Sequence, residues 1–455
     1  MEVYNQFIEP STCLQSLYCN FTSPEARNLV ISKGTLLQVF QVIETESKEK
    51  QQVNAIGLET KSSEALDNEV ETFINKEVAS PETYYSENKL SLIAEYRING
   101  EIVNLTKFKS VEDETVDYLI ISTRVAKLSI VKWDVENHCI STVSLHYYEP
   151  SLECLSTEEL AKNQIRHRTD PNNLCTSIEI NEQFVFLPFE KNNSDRIEGL
   201  DDDDDEDEDD DDYDPTEEQN HNESVIIMDD NEDETKGTDN KSKTNTTKQQ
   251  QPETKKLFTS SFIMNASSLF PGLTNIVDYQ YLHSYNNPTI AVLYAPESMS
   301  WAGYLPNSKD NLQLTVLSLD LENKQATSIM NFSNLPYDLE SIYALPDPVN
   351  GFLLMGCNDI IYVNNVGSLK GLAVNSFYKQ TSDLLLKDLS QLELFLEYCK
   401  VEYFGDDEAL IILESGQFLS LKFDLSGGTS TIDKVSLIDE KQFYPDIKIS
   451  NLTWK

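Results

Sequence analysis

Few side chains in this sequence have the types and spacing that could carry chemistry. Seven cysteines (Cys13, Cys19, Cys139, Cys154, Cys175, Cys357 and Cys399) are scattered and odd in number, with no C-x-x-C spacing. They outline neither a disulfide framework nor a zinc site, and a reducing compartment is expected. Five histidines (His138, His146, His167, His221 and His283) are too dispersed to make a metal centre. H-E-x-x-H, G-x-S-x-G and the glycine-rich phosphate loops are absent. His146 beside Tyr147 and Tyr148 could suggest a base with a phenol, but a general base needs placed partners, so strand packing is the expected role. Trp133 and Trp301 could anchor a partner, and core positions are expected for both. The chain therefore reads as a non-enzyme with no catalytic, cofactor-binding or metal-binding residues, and its partner-binding residues are not assignable from sequence.

Charge is the next constraint. The formal net charge is −43, and 22 acidic residues with no Lys or Arg fall between Glu198 and Glu234, about half of the total. No Gly interrupts the aspartate block in the spacing of a calcium loop, so a solvated acidic segment is expected. The remainder is still acidic, which speaks against direct nucleic-acid binding because phosphate is bound by Lys and Arg. The N-terminus lacks a signal-peptide pattern and no run reaches the ~18 apolar residues of a membrane span. A soluble intracellular protein with no membrane partner is expected, and the N-x-S/T triplets at Asn20 and Asn104 are chance matches.

The elements that must position these residues read as strands. "LSIVKWDVENHCISTVS" from Leu128 and "LTVLSLDLENKQATSIM" from Leu314 share apolar alternation, a bulky apolar residue (Trp133, Leu319), an Asp (Asp134, Asp320) and then E-N. A looser third copy from Phe418 carries Phe423 and Asp424. Six strand pairs, with first strands near Leu29, Leu119, Thr176, Ile290, Phe352 and Leu410, recur every 44 to 62 residues once two polar segments are set aside. Those segments, 44–89 and the acidic then Lys/Gln-rich 191–256, bury too little apolar surface to order themselves and are expected to be disordered insertions. The period and the near-continuous apolar runs predict an all-β, seven-bladed-type β-propeller with four-stranded antiparallel blades. A set of two-sheet sandwiches is the rival architecture. "STEELAKNQIRHR" from Ser156 carries a capping-box pattern and predicts a short helix. The second half of "SDLLLKDLSQLELFLEYCKVEYF" predicts strand, and "YPDIKISNLTWK" at the C-terminus predicts the innermost strand of a further blade. The ring is expected to close through the N-terminal segment or through sequence beyond this chain.

The blocks "MEVYNQFIEPSTCLQSLYCNFTSPEARNLVISKGTLLQVF", "AKLSIVKWDVENHCISTVSLHYYE", "IRHRTDPNNLC", "FVFLPF", "PTIAVLYAPESMSWAGY", "NLPYDLESIYALPDPVNGFLLMG" and "GLAVNSF" fall in one order along the chain. In that order they resemble the N-terminal motifs of the largest-subunit family of the cleavage and polyadenylation specificity factor. The acidic insertion after "LPF" is similar to that of the yeast members. The resemblance implies that residues 1–455 are the first of three propellers in a non-enzymatic nuclear scaffold of pre-mRNA 3′-end processing. It further implies a hetero-oligomer with a WD-repeat subunit and a zinc-finger subunit, with direct pre-mRNA contact in doubt. A propeller adaptor of the damaged-DNA-binding or splicing factor 3b type is the alternative, and an unrelated propeller enzyme would need acids or histidines clustered at the channel mouth.

Overall fold

In the computed structural model, the described residues are 12–47, 85–110, 115–124, 127–148, 165–190, 257–299, 303, 305, 307–425 and 430–438. They form six sheets in chain order, each built on four antiparallel strands and one of them extended by a fifth, arranged as blades of a β-propeller. Blade 1 is β1 (Gln15–Cys19), β2 (Asn28–Lys33), β3 (Leu36–Ser47) and β4 (Tyr85–Arg97); blade 2 is β5 (Ile102–Lys109), β6 (Asp117–Thr123), β7 (Lys127–Asp134) and β8 (Cys139–Tyr147). Blade 3 is β9 (Arg166–Thr169), β10 (Cys175–Ile180), β11 (Gln183–Pro188) and β12 (Phe262–Asn265), followed by one helical turn, α1 (Ala266–Leu269). Blade 4 is β13 (Ile276–Tyr281), β14 (Thr289–Tyr294), β15 (Leu312–Asp320) and β16 (Gln325–Leu335). Blade 5 is β17 (Leu339–Ala344), β18 (Phe352–Gly356), β19 (Asp359–Val363) and β20 (Leu369–Ala373), with a helical turn α2 (Tyr378–Thr381) and a parallel fifth strand β21 (Lys387–Asp388). Blade 6 is β22 (Lys400–Phe404), β23 (Glu408–Ile412), β24 (Phe418–Asp424) and β25 (Thr431–Ile438).

The six apolar pairs of the sequence are the second and third strands of the six blades. Their continuous apolar character follows from period-two alternation between two covered faces. On β11, Val185 and Leu187 pack against blade 2, whereas Phe184 and Phe186 pack against blade 4. On β14, Ile290 and Val292 face blade 3 while Ala291 and Leu293 face blade 5. Five hydrophobic clusters of this kind join the six blades in sequence. Each fully buried Leu, Ile or Phe in them contributes about 1.5–3 kcal/mol.

The D-x-E-N repeat is the turn between third and fourth strands. Asp134 Oδ1 accepts the Glu136 and Asn137 N–H groups at 2.9 and 3.1 Å, and Asn137 Nδ2 donates to Asp134 Oδ2 at 2.7 Å. Asp320 repeats this with Glu322 and Asn323 at 3.1, 2.9 and 2.8 Å. The residue after each Asn, His138 or Lys324, closes the turn with φ of 51° or 52°. Both polar segments of the sequence occupy this same position, between β3 and β4 in blade 1 and between β11 and β12 in blade 3.

Four expectations meet the structure differently. The polar segment 44–89 is narrower, because β3 continues to Ser47 and β4 begins at Tyr85, paired in register from Glu44↔Asn88 to Ser47↔Tyr85. The helix expected through "RHR" gives way to β9, since pairing with β10 satisfies more backbone groups than a capped turn could; its earlier residues lie outside the described set. The second half of "SDLLLKDLSQLELFLEYCKVEYF" is strand only from Lys400, with a 3₁₀ turn at Ser390–Leu392 before it. Six blades are described, not seven, and "YPDIKISNLTWK" and 191–256 lie outside the described residues.

Candidate interaction surfaces

The side chains singled out for chemistry do not converge. His146 on β8 shares a 3.0 Å hydrogen bond with Ser144 and meets Phe258 edge-on at 5.3 Å, and burial pushes its pKa down to about 4. Tyr147 is exposed while Tyr148 is buried, so the neighbouring phenols lie on opposite faces of the strand. His167 is fully buried, with Nε2 2.8 Å from Thr176 Oγ1, and burial lowers its pKa to about 3. His283 is half-buried, His138 closes a turn, and His221 lies outside the described residues. Trp133 is a core residue packed edge-on against Phe21 at 5.9 Å, and Trp301 lies outside the described residues.

Cys19, Cys175 and Cys399 are buried and six cysteines are free thiols, with Cys154 outside the described set. Burial pushes the Cys19 and Cys175 thiols up to about 12, which removes them as nucleophiles. Among the described residues no three His, Cys, Asp or Glu side chains gather as a metal site.

What does converge is a polar seam along the first strands of blades 2 to 5, which follow one another in space. On β9, Arg166 Nη1 donates to Glu179 Oε2 at 2.7 Å, and Arg168 Nη2 donates to Asp278 Oδ1 on β13 at 3.1 Å. Asp278 Oδ2 then accepts the Ile342 N–H of β17 at 2.9 Å. Asn104 Nδ2 of β5 donates to the His167 carbonyl at 2.6 Å, and Thr169 donates to Thr106 at 2.8 Å. Behind them Tyr279 Oη donates to the Ser177 carbonyl and Tyr281 Oη to Ser177 Oγ, both at 2.9 Å. Burial pushes the Glu179 and Asp278 carboxyls up, and the adjacent arginines pull them back. Each of these groups is taken by a neighbour in another strand, so the seam fixes one blade against the next, and neither Glu179 nor Asp278 is left without a partner. The sequence hinted at it only through the charged "RHR" of residues 166–168.

The outer surface offers two further features. A shallow depression of about 360 Å³ is lined by Phe270, Pro271, Tyr294, Pro296, Gln313 and Phe332. Among the described residues, the end blades are packed by a neighbouring blade on one face only. In β6, β10, β14, β18 and β19 every residue is buried. In β2 only Asn28, Val30 and Ser32 are buried, and in β23 only Ala409 and Ile411. Leu29 and Ile31 of blade 1, and Leu410 and Ile412 of blade 6, stay half-buried, and no hydrophobic cluster joins these two blades among the described residues.

These observations define an all-β propeller chain whose buried polar groups hold blades together. The particular relatives are fungal: the chain is homologous over nearly its whole length to the proteins named CFT1. It is 36% identical to that of Debaryomyces hansenii over 456 residues, covering 99% of this chain and 29% of the relative. Identity to the Candida albicans protein is 40% over 446 residues, covering 97% and 28%, and to the Aspergillus fumigatus protein 31% over 433 residues, covering 94% and 28%. The chain spans less than a third of the length of these curated relatives. No protein-family model matches it.

Proposed function

We propose that this chain is the first propeller of a non-enzymatic nuclear scaffold subunit in pre-mRNA 3′-end cleavage and polyadenylation. In this reading it helps to hold a WD-repeat subunit and a zinc-finger subunit in a hetero-oligomer. The observation that carries the reading is the near full-length match to the CFT1 proteins. The net charge of −43 favours protein partners over direct contact with pre-mRNA.

The complete ring, in this reading, has seven blades. Support comes from the one-sided burial of blades 1 and 6 among the described residues, which leaves apolar positions on each end blade for a seventh sheet to cover. Residues outside the described set, including "YPDIKISNLTWK", are the candidate source of its strands.

Affinity purification of the full-length subunit from nuclear extract, with identification of what co-purifies, tests the function. Cleavage and polyadenylation subunits, including a WD-repeat and a zinc-finger protein, are expected. Recovery of ubiquitin-ligase or splicing subunits in their place overturns it in favour of the adaptor role.

A further inference from the structure

The connector between blades 5 and 6, Val374 to Cys399, carries an exposed aromatic pair that the core does not use. Phe377 from its start and Phe395 from its end are brought to a ring-centroid distance of 6.0 Å, yet they are 48% and 57% exposed. Tyr398, three residues on, is 70% exposed and holds a left-handed φ of 54°. The stretch Glu393–Tyr398, left-handed at both ends, sends Leu394 and Leu396 into the core and leaves Glu393, Phe395, Glu397 and Tyr398 outside. An exposed surface of alternating carboxylates and aromatic rings is the chemistry that recognises cationic side chains, by charge and by ring stacking.

The connector is also held in place. Asn375 Nδ2 donates to the Leu394 carbonyl at 2.7 Å and to Asn358 Oδ1 at 2.9 Å, while its Oδ1 accepts the Phe377 N–H at 2.9 Å. Leu394 N–H reaches the Val374 carbonyl and Leu396 N–H the Cys357 carbonyl, at 3.1 and 3.0 Å. Both rings thus ride on backbone fixed by buried hydrogen bonds, so docking costs little ordering entropy. Charge around the strip is mixed, with Lys400 beside Cys399 and Glu340 at its end. Lys379 is paired with Asp388 at 3.9 Å. Glu340, Glu393 and Glu397 form no salt bridge among the described residues, and Glu340 Oε1 lies 3.5 Å from the Cys357 sulfur, whose environment also includes Glu397.

We propose that this connector is a docking surface for an arginine- or lysine-rich segment of another protein, with Phe377 and Phe395 as anchors and Glu393 and Glu397 as the charge partners. The proposal rests on the chain acting as a binding platform, though not on which complex it serves.

The test uses the full-length subunit and a short fluorescent peptide rich in arginine and tyrosine, with its arginine-to-glutamate counterpart as control. The basic peptide should bind more tightly, weaken with added salt, and protect amides between Asn375 and Cys399 from hydrogen exchange. Phe377→Ser/Phe395→Ser should keep the melting temperature and lose at least about tenfold in affinity. Glu393→Gln/Glu397→Gln should bind more weakly with a flatter salt dependence. The double Phe variant retains the acidic run, so binding carried by that run would be unchanged by it and would overturn the proposal. Protection outside the connector, or protection of the connector by a single-stranded RNA oligomer and not by the peptide, would overturn it too. Failure here leaves the co-purification result untouched, so the two readings fail separately.

Discussion

His167 shows how a single buried group sets a pH limit on the whole fold. Its native pKa is near 3 against an ordinary 6.5, because burial penalises the imidazolium. The unfolded chain therefore takes up a proton below pH 6.5 that the native chain refuses, and stability falls as pH drops from 6.5 toward 3. At about 1.4 kcal/mol per unit, the loss is about 2 kcal/mol between pH 6.5 and 5. Urea midpoints measured across that range should fall for the native sequence and fall less for His167→Gln, whose amide can still reach Thr176. The neighbouring Arg168 and Asp278 behave differently. Removing the carboxylate in Asp278→Ala strands a guanidinium and the Ile342 N–H together, at a cost of about 3–5 kcal/mol. The apolar pair Arg168→Met/Asp278→Leu should recover most of that in the same denaturation assay, because no charge is then left buried alone.

At the scale of elements, the loop between third and fourth strands is where this fold accepts insertions, and its minimal form is known from blades 2 and 4. There the Asp carboxylate caps three N–H groups, so hydrogen bonding to Asn137 and Asn323 lowers the pKa of Asp134 and Asp320. That support is present above the ordinary carboxylate range and is lost as pH falls through the native value. In blade 1 the paired strands already run to Ser47↔Tyr85. Replacing residues 48–84 by Val-Glu-Asn-His, with Ser47→Asp, should therefore keep the blade and add up to about 2 kcal/mol through the shorter closing loop. A loss of strand circular dichroism, or a lower melting temperature, would show that the segment contributes to folding. Turn and central strands were readable in the sequence because local hydrogen bonding and two-sided burial each leave a periodic signature. The connector 374–399 was not readable, since Phe377 and Phe395 look like core residues until their exposure is measured. Nor was β9, whose half-buried Arg166 and Arg168 find their carboxylates on other strands, Arg168 on Asp278 of the next blade.

For the molecule as a whole, the question is what covers blades 1 and 6. A propeller blade in mid-ring gains stability from both faces, as Ile120 on β6 shows with no exposed surface at all. Truncating such a residue, Ile120→Ala, should cost about 2–5 kcal/mol. Ile31 on β2 and Leu410 on β23 occupy equivalent central strands but are only half-buried among the described residues. If a seventh blade lies between them in the full-length subunit, Ile31→Ala and Leu410→Ala should each approach the cost of Ile120→Ala there. Costs that stay well below it, with fast hydrogen exchange retained in β2 and β23, would mean that the two faces remain open and the ring is not completed by a sheet. The family resemblance bears on the identity of the subunit, whereas this comparison bears on its geometry. The two are independent, because the match to the relatives runs along this chain whatever its neighbours, whereas ring closure is decided by what packs on the half-buried residues of β2 and β23.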